Sequence, residues 1–222
     1  MNDASAPTEA GSGFRQVLAD PAQLRDIYRQ PHERVLAKKT DRIDDVTAAF
    51  IAGSPFCLIS TAGADGTCDV SPRGGPAGFC RVLDEGRIAI PDLNGNNLLD
   101  SQTNIVTNPH IGMLFLVPGR DETLRLNGRA CITTDPEILA LWDGELRRPV
   151  AAIGVSVTDT FIHCAKAFRR GGVWDAEAWA ALEAPTGAEM LVCHSGSGED
   201  PAAMAELLEQ GYAIGLDKDR PA

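Results

Sequence analysis

The sequence has 222 residues, 44% of them hydrophobic and 23% charged, and a formal net charge of −11. That composition suits a folded chain with one core and not a disordered one. The acidic balance argues against a nucleic-acid partner, which needs a basic surface, and against docking on an anionic membrane. The longest apolar runs are too short to span a bilayer. Residues 1–13 show no basic-then-apolar leader pattern, so a reducing cytoplasm is the expected compartment. Six cysteines, at 57, 68, 80, 131, 164 and 193, show no Cys-x-x-Cys spacing. That points away from a zinc ribbon or a thioredoxin-like motif. The four histidines are scattered, and neighbours such as His163-Cys164 on a strand face opposite ways, so no metal site is expected.

In chain order, residues 1–19 read as a disordered lead. Asp20-Pro21 with Gln23 is a helix start, with a capping aspartate, proline in the first turn and a capping-box partner. Leu24, Ile27 and Tyr28 fall on one face of that helix. A second helix is expected from Thr40 or Asp41, with Ile43, Val46 and Phe50 as its buried stripe and Gly53 at its end. From Ser54 the period shortens. Phe56 to Thr61 reads as a strand, Gly63 to Gly66 as a hairpin loop and Thr67 to Ser71 as the return strand. Phe79–Leu83 and Arg87–Pro91 form a second hairpin. A short helix is expected from Leu98 to Thr107, capped by Asn97 and stopped by Asn108-Pro109.

Ile111 to Val117 is almost wholly apolar, which predicts a central strand covered on both faces. Thr123 to Thr133 alternates as the next strand. Asp135-Pro136 opens a helix carrying Ile138, Leu139 and Trp142. Val150–Thr158 and Thr160–Ala165 read as two strands. Asp175–Glu183 and Pro201–Gln210 read as the last helices, the second closed by Gly211. Strands joined by short turns, without strand–helix alternation, argue for a mainly β chain whose antiparallel sheet closes into a barrel. The expected division is a lead over 1–19, a barrel domain with flanking helices over 20–183, and a helical extension over 184–222 packed on the barrel.

The chemistry-bearing motifs concern anions. There is no phosphate loop, no dinucleotide fingerprint and no Gly-x-Ser-x-Gly elbow. Arg73 sits in the corner Ser71-Pro-Arg-Gly-Gly-Pro76, where a hydroxyl, bare glycine amides and a forked guanidinium suit a phosphate. Gly95-Asn96-Asn97 precedes a helix, whose free N–H groups also attract phosphate. Arg125 and Arg129 lie four apart on one strand and share a face. Taken on residues alone, the plainer reading outweighs this one: turn residues, and surface arginines paired with the many carboxylates.

Residues from about Leu24 to Trp174 resemble the flavin-binding proteins related to pyridoxamine 5′-phosphate oxidase, most of all its branch of FMN-dependent enzymes. The matching pieces run in the family's order: Ser54-Pro-Phe56, Asp69-Val-Ser-Pro-Arg-Gly74, Gly78-Phe79, Arg81-Val-Leu-Asp84, Ile90-Pro-Asp92, Gly95-Asn96, Asp100-Ser101, Asn104-Ile105, Leu114-Phe-Leu-Val-Pro-Gly119, Thr123-Leu-Arg125, Asn127-Gly-Arg-Ala130 and Phe161-Ile-His-Cys-Ala-Lys166. The resemblance implies a split antiparallel β-barrel, with helices at both ends, that dimerises with two FMN sites at the seam. It places Asp69, Val70, Ser71 and Arg73 beside the flavin, with Ser71 and Arg73 on the phosphate or ribityl chain. Ile90, Pro91 and Asp92 would line the ring. Asn96 and Asn97 would meet the phosphate at the helix start, and Thr123 and Arg125 would face the flavin from the next strand. Lys166, Arg169 and Trp174 would come from the partner subunit or its rim. One departure stands out: where the family commonly has a basic residue after Gly95-Asn96, this chain has Asn97.

The implied function is an FMN-dependent oxidoreductase taking a hydride from a small molecule, with no catalytic residue named. Its rivals are a non-catalytic flavin carrier or redox sensor, a relative binding haem or a deazaflavin, and a scaffold without cofactor. In the first reading the flavin supplies the redox chemistry and the protein supplies position and charge.

Overall fold

The structure, a computed structural model, describes residues 13–179 and 181–221. The chain divides at Lys38/Lys39 into two compact units. Of the expected lead, residues 1–12 lie outside the described residues. The first unit holds α1 (Pro21–Ile27) and α2 (Glu33–Ala37). The Asp20 carboxylate accepts from the amide of Ala22, and Gln23 completes the capping box read from the sequence. The second helix, α2, carries no such signature; it starts on His32, whose Nδ1 accepts the Arg34 amide.

The second unit is built on seven strands. They are β1 (Phe56–Ala62), β2 (Cys68–Gly74), β3 (Arg81–Asp84), β4 (Arg87–Pro91), β5 (His110–Leu116), β6 (Thr123–Thr133) and β7 (Ala152–His163). They form one antiparallel sheet in the order β2-β1-β5-β6-β7-β4-β3. The closed barrel expected from the residues is not formed: β2 and β3 are edges with no ladder between them. One buried cluster nevertheless gathers Ile59, Phe115, Leu126, Ile153 and Ile90 from five different strands. The sheet is therefore wrapped around a common core without joining its ends. Closure is a pairing between distant segments, and nothing local in either edge strand encodes it.

Three corrections concern burial and helix ends. The helix α3 runs over Asp45–Ala52, capped by Asp44. Ile43 is buried ahead of it, while Val46 is 79% exposed, so the inward stripe is Ile51 with Phe50. In β5, Ile111, Met113 and Phe115 are buried, but Gly112, Leu114 and Leu116 are only half covered. The strand covered on both faces is β4, where Ile88 and Ile90 enter the main core and Ala89 joins a second cluster. That second cluster packs Trp142 and Leu146 with Leu139 of α5 (Pro136–Leu139).

The two strands expected over 150–165 are one long strand, β7. Its pairing with β6 slips between Asn127 and Gly128, so Asn127 faces Asp159 and Gly128 faces Val157. A Cβ on Gly128 would stand 2.3 Å from the Ser156 carbonyl oxygen. Backbone cannot yield there as a side chain would. Gly128→Ala should therefore lower unfolding free energy by about 3 kcal/mol in a urea titration. An unchanged midpoint would show that the bulge relaxes freely.

The remaining helices are α4 (Asp100–Thr107), α6 (Lys166–Gly171), α7 (Ala176–Trp179), α8 (Gly187–Ser195) and α9 (Pro201–Lys218). Thr186 and Glu189 close a capping box on α8. Gly211 does not end α9, which continues for seven more residues. No helix among the described residues is long and apolar enough to cross a membrane.

Candidate functional site

The edge strand β2 carries the first half of the site. Its pairing with β1 sets Arg73 opposite Cys57, Ser71 opposite Ile59 and Asp69 opposite Thr61. Alternation turns Asp69, Ser71 and Arg73 to one half-buried side, while Val70, 66% exposed, turns to the other. Pro72 has no N–H to offer a ladder, which suits an edge position. Asp69 is held from α4: Asn104 Nδ2 donates to its Oδ2 at 2.7 Å and to Thr61 Oγ1 at 3.2 Å. Arg73 Nη1 donates to Ser71 Oγ at 2.5 Å and to the Pro72 carbonyl at 2.8 Å. Among the described residues, no carboxylate oxygen lies within 4 Å of the Arg73 nitrogens. Burial pulls its pKa below the ordinary guanidinium value, and the charge of Asp92 opposes that shift. A cation in this setting is short of a counter-charge.

The loop after β4 carries the second half. Asp92 is fixed by its amide bond to the Ala151 carbonyl at 3.0 Å and by Gln102 Nε2 on Oδ1 at 2.9 Å. Asn96 Oδ1 accepts from the Leu98 amide at 3.1 Å. Asn97 does not cap the helix as expected: it sits at φ 58°, and α4 starts three residues later, at Asp100, behind Leu99 at φ 61°. Two non-glycine residues in the left-handed region within three positions store strain, of the kind that collects at ligand sites. Leu99 supplies no side-chain cap, so the first amides of α4 lack one of their usual partners. Between β2, this loop and the start of α4 lies a cleft of about 410 Å³, lined by Ser71, Arg73, Asp92, Asn97 and Ser101 among others.

A family model described as pyridoxamine 5′-phosphate oxidase matches residues 43–164. The chain belongs to the pyridoxamine 5′-phosphate oxidase family. No curated protein matches. Among solved structures, HupZ of Group A Streptococcus is 20% identical over 54% of this chain and 93% of its own, with a TM-score of 0.46. HutZ, the heme storage protein from Vibrio cholerae, is 12% identical over 55% and 94%, with a TM-score of 0.38. A pyridoxamine 5′-phosphate oxidase-related FMN-binding protein from Nostoc punctiforme is 11% identical over 49% and 73%, with a TM-score of 0.37. Likeness at that level says nothing about what this chain binds.

The oxidase-family match covers β2 and the loop after β4, and most of the lining of a second cavity on the outer face of the sheet. This groove of about 460 Å³ is lined by Leu58, Val70, Leu114, Arg125, His163 and Phe168 among others. Val70 lines both cavities, so β2 is the wall between them. Arg125 is exposed there, bonded to Asn127 Oδ1 at 3.3 Å and lying 5.8 Å from the centre of the Phe161 ring.

The residues singled out in the sequence thus fall into separate places. Asp69, Val70, Ser71, Arg73, Pro91, Asp92, Asn96 and Asn97 meet at the cleft, and Thr123 and Arg125 at the groove. Ile90 is fully buried in the core. Lys166 and Arg169 sit on α6, with Arg169 Nε paired to Asp121 at 2.8 Å. Trp174 Nε1 donates to the Arg120 carbonyl at 2.8 Å, and its ring lies against Phe168. Residues not foreseen at the cleft include Ser101, Gln102, Asn94, Leu216 and Asp219. Gln102 follows from its helix; the last two had no local signal, being far along the chain.

Proposed function

We propose that this chain is an FMN-dependent oxidoreductase whose cleft holds the cofactor by its phosphate. The carrying observation is Arg73: a half-buried guanidinium without an ion pair among the described residues, facing a cleft that also receives the uncapped start of α4. Both features call for an anion. Arg73 binds the phosphate, and Ser71, already bonded to it, orients the guanidinium. The left-handed backbone at Asn97 and Leu99 turns the loop so that α4 points its first amides at the cleft. Asn97 brings no charge, so Arg73 is the one side-chain cation among the described residues that line the cleft. Bound FMN would supply hydride acceptance from a small-molecule donor.

The groove supports the rest of the reading. Half-covered Leu58 and Leu114 with exposed Val70 leave an apolar strip on the outer face of a sheet. A second copy covering that strip abuts the cleft across β2, which makes a homodimer of split barrels with the flavin at its seam. Arg125 then supplies positive charge near the reactive end, and Lys166, Arg169 and Trp174 reach the site from the partner or its rim. The cytoplasm is the compartment this reading assigns.

The test is the visible spectrum of the purified protein, followed by acid release and identification of any pigment, with light scattering for oligomeric state. Flavin absorption, released FMN and a dimer are expected. A haem spectrum, or a protein that stays colourless and binds no added FMN, overturns the reading.

A further inference from the structure

The last turn of α9 lies outside residues 43–164, yet Leu216 and Asp219 form part of the cleft wall. Asp219 is tied on two sides. Its Oδ1 accepts the Asn94 amide at 3.0 Å, and its carbonyl accepts the Arg147 amide at 2.8 Å. Gly215 lies close to the same loop: a Cβ there would stand 3.2 Å from Asn94 Nδ2. Leu216, 68% exposed, is part of the cleft lining. The C-terminal helix therefore grips the same loop that carries Asn96 and Asn97.

We propose that the last turn of α9 is a strap that keeps the cleft's ligand in place, with Leu216 as a contact residue and Asp219 as a positioning residue for residues 93–97. The ligand part rests on the reading of the cleft as an FMN site; the loop part does not. An amide-to-carboxylate bond is charge-assisted and holds the loop against fluctuation. With the bond gone, the loop samples open forms and the ligand leaves faster.

The test uses the full chain with Asp219→Ala, and Asp219→Asn as the conservative variant that still accepts from Asn94. Asp219→Ala leaves the backbone bond to Arg147 intact. Hydrogen exchange over residues 93–97, without ligand, should quicken about tenfold in Asp219→Ala and return towards the parent rate in Asp219→Asn. FMN dissociation should quicken about tenfold in Asp219→Ala, and also in Leu216→Ala, whose loop exchange stays at the parent rate. Asp217→Ala, which removes only a surface pair with Arg220, should change neither. Unchanged exchange in Asp219→Ala overturns the strap. Faster exchange with no FMN binding in the parent upholds the grip on the loop and removes the FMN reading instead.

Discussion

Arg73→Ala should weaken FMN binding by roughly 10- to 100-fold and leave the fold intact, because a charge-assisted bond to phosphate is worth about 1.5–3 kcal/mol. The fold survives because β2 is held to β1 by backbone pairing from Cys68 to Gly74, to which the guanidinium adds nothing. Riboflavin is the decisive comparison. It has the ring and ribityl chain but no phosphate, so its affinity should not change. Arg73→Lys should fall between, since a point charge replaces one arm of a fork. Asp92 sharpens the effect. Arg73 feels the charge of Asp92 without pairing to it; with the guanidinium gone, that carboxylate would face the phosphate with no cation nearby. Fluorescence titration with both flavins measures all of this. Equal losses for FMN and riboflavin, or no loss for either, would remove Arg73 from the phosphate.

The largest effect on stability is expected at Trp142. It is fully buried, and its Nε1 donates to the Phe79 carbonyl at 2.7 Å. Around it pack Ala89, Leu139, Leu146 and Ala152. Trp142→Ala removes the bulk of that cluster and should cost about 3–5 kcal/mol in a urea titration. It also strands the Phe79 carbonyl. For a domain whose whole stability is about 5–15 kcal/mol, that brings unfolding close to ordinary conditions. Trp142→Phe keeps most of the volume and separates packing from the bond. The damage reaches the cleft, because Phe79 is part of its lining. A loss under about 1 kcal/mol would show that the cluster collapses into the void.

What the sequence disclosed was whatever a short window encodes. Thr123–Thr133 is a strand with the bounds its alternation implies, and Arg87–Pro91 one with the bounds its hairpin turn implies. The capping box at Asp20 is also in place. Arg73 and Ser71 meet because residues two apart on a strand share a side. The failures have two causes. One is tertiary cover overriding a local signal. Gly211 stays helical because Met204 is buried on one side of α9 and Asp219 is tied down at its far end. Asn97 is a good cap by type, but the turn that aims α4 at the cleft puts it in left-handed backbone instead. The other cause is distance. The bond from Asn94 to Asp219 spans 125 positions, and no pattern in either segment announces it. The open ends of the sheet escaped notice for the same reason.

Because Asp69, Ser71 and Arg73 sit on the edge strand β2, their ladder has a single neighbour to lean on. Such a strand is the first part of a sheet to fray. A molecule seated against it acts as a substitute for the absent strand and stabilises the native state by mass action. Occupancy and local order then rise and fall together, so β2 would register the supply of any molecule that the cleft binds.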